Sequence, residues 1–439
     1  MVMDETKVLP TAPTKRSGRF RTLLRATLVV VGLLIAAVGG GVFYALAFPP
    51  RYPVRDVELR VESSPERVAR GKALASTLEC VICHSNPATG RLTGRRLAEI
   101  PSALSPAAYT ANITRDVKTG IGAWSDGELV AFLRTGVNRQ GRLAPPWMPR
   151  LPRLADEDLF DLLAYLRSDD PAVEATTASP QTGSLSILGK ILMRYAWRPM
   201  AYPAAPIVAP ALSDRVAYGR YVVQAKGSCF GCHSANFMKL DEQQPERSDG
   251  YLGGGNEVYD AAGSIVISAN LTPDRETGIG RWSEAEFVRA VREGLRPDGT
   301  PVRGPMQLYK ELSEAEVGAV YAYLQTVPPL HRPRPTTDAP KAITASAEAS
   351  SDRAATLKGR ALYERYGCRS CHGDTGVDIG DLRQADNKYA TDAEIEAWIR
   401  HPEAFKPGTK MPAFGNVIAS DDFPPLIAYV RQLGRRSKP

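Results

Sequence analysis

The apolar and polar positions fall into one long apolar run followed by three cycles of helical pattern. Ala26–Phe48 holds 23 uncharged, mostly apolar positions. As a helix rising about 1.5 Å per residue it reaches roughly 35 Å, enough to cross a bilayer core of about 30 Å. Each later cycle opens with a helical pattern that runs into a cysteine pair: VARGKALASTLECVICH, VAYGRYVVQAKGSCFGCH and LKGRALYERYGCRSCH. Each closes on apolar residues at helical spacing. In the first, Asp156–Arg167 sets Leu159, Leu162, Leu163 and Leu166 on one face. In the second, Ser313 and Glu316 form a capping box ahead of Val317, Val320, Tyr321 and Leu324. The third closes on Phe423-Pro424-Pro425 and LIAYVRQL. The intervening segments are rich in Gly, Pro and polar residues, without sustained period-2 alternation, so the expected fold class is all-α.

Two of the cycles are an internal repeat. Asn112-Ile113-Thr114 returns as Asn270-Leu271-Thr272, Thr119–Ser125 as Thr277–Ser283, Met148 as Met306 and Ala164–Leu166 as Ala322–Leu324, all offset by 158 residues. The cysteine pairs are offset by 149, so the second copy carries nine extra residues, which fit in the Gly-rich loop around Tyr251–Asn256. Landmarks at one offset mean duplication, so these two modules are expected to share a fold. The chain then divides into a basic tail at 1–25, a transmembrane anchor at 26–48 and a first domain at 62–171. A linker at 172–210, a second domain at 211–330, a tether at 331–350 and a third domain at 351–437 follow. The tether is rich in Pro, Ala, Ser and Thr. Within the linker, Ser184–Tyr202 is apolar with Lys190, Arg194 and Arg198 four apart. It reads either as a connector packed between modules or as an amphipathic segment resting on a membrane or partner.

At 439 residues the chain has room for about three domains. With 43% hydrophobic and 23% charged residues it is neither collagen-like, wholly disordered nor a polytopic membrane protein. Residues 1–25 carry a net charge of +4 and the remaining 414 only +3, which leaves no dense basic field for nucleic acid. The basic cluster before the apolar run keeps the N-terminus cytoplasmic and sends everything after Phe48 outward. This predicts a single-pass membrane protein with its domains on the side away from the cytoplasm. Ala45-Leu46-Ala47 also resembles a signal-peptide cleavage site, but the apolar stretch is longer than the usual 7–15 residues of such signals.

The six cysteines lie at 80 and 83, 229 and 232, and 368 and 371, and each pair is followed at once by a histidine: His84, His233 and His372. Cys-x-x-Cys-His is the attachment signature of c-type haem. Thiols at i and i+3 share one face of a helical turn, where both can add to the vinyl groups of one haem edge, and the next residue's imidazole then reaches the iron. A zinc site would need a second ligand pair at finger-like spacing, which no motif supplies. A redox dithiol would not require a histidine three times over. Three covalently bound haem c groups are the expectation, with axial His84, His233 and His372.

A sixth iron ligand has to come from downstream. Each module offers one methionine in a Pro-containing loop before its closing helix: Met148 in Pro146–Pro149, Met306 after Pro305, and Met411 before Pro412. Met193, Met200 and Met238 lack this context and read as packing residues. His331 and His401 could each replace a methionine as ligand, but read rather as surface imidazoles. A soft thioether favours ferrous iron and raises the reduction potential, and a six-coordinate iron has no open position, so such haems pass single electrons. Trp124 and Trp282 follow the TGIG turn, and Asn112 and Asn270 precede it. An indole N–H or an amide there could donate to haem propionates, or Trp could pack on the ring edge and Asn cap a turn.

With CxxCH, NxT, TGIG-x-W and a Pro-loop Met in order, residues 62–330 resemble the first two modules of the membrane-bound triheme cytochrome c subunits of bacterial alcohol and gluconate dehydrogenase complexes. The linker, with LMRYAWRP before ALSDRVAYGRYVVQAKGSCFGCH, is similar too. The third module, GCRSCHGDTG to AWIRHPEAFKPGTKMPAFG, instead resembles single-haem class I cytochromes and the cytochrome domains fused to haem–copper oxidase subunits. The resemblance implies three tandem class I cytochrome c-like domains behind one transmembrane helix. It further implies a quinoprotein or flavoprotein dehydrogenase as donor, and quinone, a cytochrome or an oxidase as acceptor. The expected function is electron transfer, with no catalytic residues of its own. The competing class is a peroxidase-like multihaem enzyme with one open iron, and the sixth ligand discriminates them. A haem-based sensor would need an output domain, which the sequence does not offer.

Overall fold

The computed structural model describes residues 16–333 apart from 56, 87–88, 98–99, 178–182, 260–264, 301 and 304. It also describes 358–435 apart from 361, 364–365, 367, 369–371, 373–375, 377–380, 410 and 416–417. The basic tail up to residue 15, most of the tether and Cys371 therefore lie outside the described residues.

Helix α1, Arg16–Ala47, contains the expected apolar run, and its Thr22–Ala47 segment is long and apolar enough to cross a membrane. None of the 18-residue window that meets this test is buried against the rest of the chain. Among the described residues three large hydrophobic clusters follow. The first gathers around α2 (Pro65–Thr77), α4 (Asp126–Thr135) and α5 (Asp156–Leu166). Short helix α3, Cys80–His84, carries the cysteine motif. Leu159, Leu162 and Leu163 are fully buried and Leu166 nearly so, as the periodicity required. The second cluster gathers around α7 (Arg215–Tyr221), α9 (Glu284–Glu293) and α10 (Glu314–Leu324), with α8, Cys229–His233, in the motif position. The capping box of Ser313 and Glu316 is formed, and Ser125–Glu128, Ser283–Glu286 and Thr391–Glu394 form the same device. The third cluster packs α11 (Asp392–Arg400) and α12 (Phe423–Arg435) around Tyr363, Phe414 and Leu426.

One glycine in each opening helix sets the helix crossing. A Cβ on Gly71 would sit 1.8 Å from the Asp161 carbonyl oxygen, on Gly219 1.9 Å from that of Ala319, and on Gly359 2.0 Å from that of Pro425. Beside each glycine packs a tyrosine of the closing helix: Tyr165, Tyr323 and Tyr429. Only a residue without a side chain lets the backbones come this close. Gly71 and Cys80 are nine residues apart, but Gly219 and Cys229 are ten. The second copy absorbs the extra residue in a π-helical stretch, Val222–Lys226, that continues α7.

Two local differences from the sequence reading have physical causes. A two-stranded antiparallel hairpin, β1 (Glu257–Tyr259) with β2 (Ile265–Ile267), joins the otherwise helical body. Strands of three residues are too short for period-2 alternation to register. The extra residues of the second copy also lie ahead of the Gly-rich loop, between Ser234 and Tyr251. Gly94 and Gly254 show this, because each donates its N–H to the carbonyl of its motif histidine, His84 or His233, at 2.7 Å. The Gly-rich loop is thus common to both copies, and the insertion before it forms two short turns, Phe237–Lys239 and Pro245–Arg247.

Segment 184–202 forms α6, Ile187–Tyr195, which packs on the first body and on the end of α1. Met193 is buried there with Val137 and Leu143, whereas Met238 is exposed. The start of the tether is bound: Arg332 donates to the Gly254 carbonyl at 2.8 Å, and its N–H to Thr277 Oγ1 at 2.9 Å. Exposed His331 lies 3.6 Å from Asp274.

Candidate haem sites

The cysteine motifs are launched by a backbone kink. The residue just before each of the first two motifs is left-handed, Glu79 at φ 64° and Ser228 at φ 48°. Non-glycine residues adopt this region rarely, and such positions concentrate at functional sites. The kink ends the opening helix and starts the CxxCH turn in a new direction. Burial pushes the thiols of Cys80 and Cys229 up to about 12, so they stand as neutral S–H groups.

Both buried motif histidines are locked by a backbone carbonyl. His84 Nδ1 lies 2.8 Å from the Ala111 carbonyl oxygen, and His233 Nδ1 lies 2.8 Å from that of Ala269. A carbonyl only accepts, so Nδ1 carries the hydrogen and Nε2 keeps its lone pair for a metal. Burial also holds the His84 imidazole below its ordinary value, in the neutral form a ligand requires.

The NxT and TGIG motifs build the bracket that fixes those carbonyls. Asn112 Nδ2 donates to Thr119 Oγ1 and to the Thr176 carbonyl, both at 3.0 Å, while its Oδ1 accepts the Thr114 N–H. Asn270 repeats this with Thr277 Oγ1 at 3.0 Å, the Leu330 carbonyl at 2.7 Å and the Thr272 N–H. Thr119 and Thr277 in turn donate their hydroxyls to Asp116 and Asp274 at 2.8 Å, and the backbone N–H groups of the same threonines, with those hydroxyls, hold both carboxyls below the usual range. Both amide hydrogens of each asparagine are used, one within the loop and one on a carbonyl of the segment that follows the closing helix. The asparagines sit one residue after the carbonyl that orients each histidine.

Each cluster brings a motif cysteine and the Pro-loop methionine onto one core. Met148 packs on the first with Cys80 and Trp124, Met306 on the second with Cys229 and Trp282, and Met411 on the third with Cys368. His372 lies in its motif turn, donating its N–H to the Cys368 carbonyl at 2.9 Å. The Met loops share a brace that the sequence reading missed. Buried Arg134, in the last turn of α4, donates to the Leu151 carbonyl at 2.7 Å, the Leu154 carbonyl at 2.5 Å and Asp156 at 2.5 Å. Arg292, offset by the same 158 residues, reaches Glu314 at 3.2 Å and the Lys310 carbonyl at 3.5 Å. Arg400 of α11 reaches the Gly415 carbonyl at 3.0 Å. The available signal was an arginine at repeat spacing inside an apolar helical pattern.

The first two sites open on one cavity of about 1890 Å³. Glu79, Cys83 and Trp147 line it from the first body, and Cys232, His233 and Met306 from the second. The Glu79 carboxylate contributes to raising the Cys229 and Cys232 thiols, which places a first-body charge at the second motif. Around the cavity the bodies are joined by hydrogen bonds, two of them buried. Gln307, next to Met306, donates to the Thr77 carbonyl at 3.0 Å. Tyr221 Oη accepts the Ala155 N–H at 3.0 Å and donates to Asp158. Arg153 reaches Gln224 at 3.0 Å and the Gln243 carbonyl, in the insertion, at 2.9 Å. In the second body both thiols, His233 and Met306 line this cavity, a set that fits a covalently held haem, and the first motif meets the cavity through Cys83. No described cluster of three or more His, Cys, Asp or Glu side chains could hold a metal ion instead.

Comparison with known proteins agrees. Residues 68–169 match the cytochrome c family model, and residues 354–430 match that of cytochrome c oxidase, cbb3-type, subunit III. The gluconate 2-dehydrogenase cytochrome c subunit of Pantoea cypripedii is 29% identical over 272 residues, 59% of each chain. The alcohol dehydrogenase (quinone) cytochrome c subunit of Gluconobacter oxydans is 29% identical over 278 residues, 60% of this chain and 55% of its own. The fructose dehydrogenase cytochrome subunit of Gluconobacter japonicus is 29% identical over 339 residues, 72% of this chain and 65% of its own. The chain thus spans less than two thirds of the length of these relatives. The chain carries cytochrome c domains, which imply covalently bound haem c, and is similar to the cytochrome c subunits of gluconate, alcohol and fructose dehydrogenases.

Proposed function

We propose that the chain is a membrane-anchored triheme c-type cytochrome that carries single electrons from a dehydrogenase partner to quinone, a soluble cytochrome or a terminal oxidase. The observation that carries this reading is the pair of carbonyl-locked histidines, His84 and His233, whose motifs open on one cavity. In this reading three tandem cytochrome c-like domains follow an anchor with its N-terminus in the cytoplasm, and the domains face the periplasm. Cys80 and Cys83, Cys229 and Cys232, and Cys368 and Cys371 hold the haems. His84 with Met148, His233 with Met306, and His372 with Met411 would supply the ligands to the three irons.

When bound, haem c supplies a one-electron iron couple. The chain's own residues set its surroundings. The Ala111 and Ala269 carbonyls orient the imidazoles, and their hydrogen bonds raise ligand basicity. Arg134, Arg292 and Arg400 hold the methionine loops. Lys310, four residues after Met306, reaches Glu403 at 2.5 Å and the Thr409 carbonyl at 2.7 Å, which brings the second and third methionine loops together. This arrangement supports a linear order of sites from first to third.

The test is the pyridine haemochrome content of the purified chain, its 695-nm methionine band when oxidised, and its response to carbon monoxide when reduced. Three haems, a full methionine band, no carbon monoxide shift and reduction by a dehydrogenase with its substrate support the relay. A carbon monoxide shift on one haem moves the open-iron enzyme to the front.

A further inference from the structure

Where α1 ends, its last turns meet α6. Tyr195 Oη donates to the Gly41 carbonyl at 2.7 Å, Arg194 donates to Tyr44 Oη, and the Arg194 guanidinium stacks 4.3 Å above the Tyr44 ring. Beside this crossing lies a cavity of about 310 Å³. Arg51, Arg194 and Arg198 line it together with Tyr44, Tyr52 and Tyr195. Every hydrogen-bond partner described for the three arginines is a neutral oxygen. Arg51 reaches the Gln140 carbonyl at 3.3 Å, and Arg198 reaches the carbonyls of Arg194, Trp197 and Tyr195 at 3.0–3.1 Å. Three positive charges therefore converge on one cavity with no carboxylate among their partners. On the same short helix, Ile187 and Leu188 are exposed.

This chemistry has a specific match. Guanidinium groups bind phosphate oxygens through paired N–H donors. Tyrosines favour the level of lipid headgroups, and basic side chains beside exposed apolar ones are the mark of a helix lying on a bilayer. A soluble anion would explain the arginines but not their position at the foot of an apolar helix of membrane-spanning length, nor Ile187 and Leu188.

We propose that this cavity binds the phosphate of an anionic phospholipid in the leaflet from which α1 emerges, with α6 resting on that leaflet. The site fixes how the first haem-bearing body stands on the membrane. The proposal rests on α1 being retained as the anchor.

The experiment uses the full-length protein in detergent, with its intact mass first establishing that residues 16–47 are present. Native mass spectrometry then follows retention of phosphatidylglycerol and of phosphatidylcholine. The wild-type chain should retain phosphatidylglycerol about tenfold more strongly, and each of R51Q, R194Q and R198Q should lower this about fivefold. The triple Gln variant should fall to the phosphatidylcholine level, with its haem spectrum and Tm unchanged. The triple Lys variant should keep most of the preference, and Lys190→Gln, outside the cavity, should leave it within about twofold. Equal retention of the two lipids, or retention undiminished in all Gln variants, overturns the site. An effect of Lys190→Gln as large as that of R194Q overturns it in favour of a diffuse basic surface. Displacement of the lipid by millimolar inorganic phosphate alone identifies a free-anion site and overturns the lipid source. Loss of α1 by mass overturns the anchor reading, and the proposal with it, before any lipid is added.

Discussion

The two junctions in this molecule are built differently. Between the first and second bodies, Gln307, Tyr221 and Arg153 make hydrogen bonds around a shared cavity, and the Gln307–Thr77 and Tyr221–Ala155 bonds are buried. Between the second and third, Lys310 bonds a half-exposed carboxylate, Glu403, and one carbonyl, that of Thr409. A buried bond cannot be exchanged for water without a desolvation penalty, whereas an exposed ion pair can. The first junction therefore behaves as part of the fold, and the second as a contact that can be made and broken. The insertion of the second copy helps to make the difference, because it supplies the Gln243 carbonyl to Arg153.

Four perturbations sharpen this contrast, taken from the largest effect down. Arg134 supports residues 151–156, the platform on which Arg153 and Ala155 meet the second body. Arg134→Met leaves two buried carbonyls and Asp156 without their donor, which should cost about 3–5 kcal/mol. Its repeat counterpart Arg292→Met, with longer bonds and an exposed Glu314, should cost about 1 kcal/mol or less. Thermal unfolding of both variants tests the pair, and equal losses would erase the distinction.

Next come Gln307→Ala and Tyr221→Phe, each of which strips a partner from a buried group at the first junction. Each should cost about 1–3 kcal/mol and uncouple the unfolding of the first two bodies in urea titrations. Lys310→Ala should cost at most about 1 kcal/mol of stability but release the third body, seen as a larger radius of gyration in solution scattering. The smallest effect is on pH. The hydrogen bond from Lys310 holds the Glu403 carboxyl below its ordinary value. A group depressed in the folded state contributes stability above its unfolded value, about 4.3, and loses it as pH falls through the folded one. Scattering should accordingly show the second junction loosening below about pH 4, with the first unchanged there.

Much of this was legible from the residues. The periodicity of Asp156–Arg167, the Ser313 and Glu316 capping box, the apolar run and the offset of 158 residues all reflect local rules that tertiary packing obeyed. The histidine locks were not legible. Ala111 and Ala269 act through their backbone carbonyls, so their side chains carry no signal. The bracketing asparagines were visible as a repeated motif but not as a bracket, because their partners Thr176 and Leu330 are about 60 residues away. The π-helical stretch was recoverable in principle from the Gly–Cys spacing of nine against ten. The junctions depend on which surfaces meet, which no single module's pattern encodes.

The central claim is that the first two sites form a pair held by buried bonds, whereas the third meets the second through a contact that can be made and broken. Electron paramagnetic resonance of the fully oxidised chain, compared with its C229S/C232S variant, tests it most directly. The account predicts a broadened, coupled signal from two haems that collapses to a sharp first-haem signal in the variant, with the third unchanged. A wild-type spectrum that is the simple sum of three independent haems would contradict it.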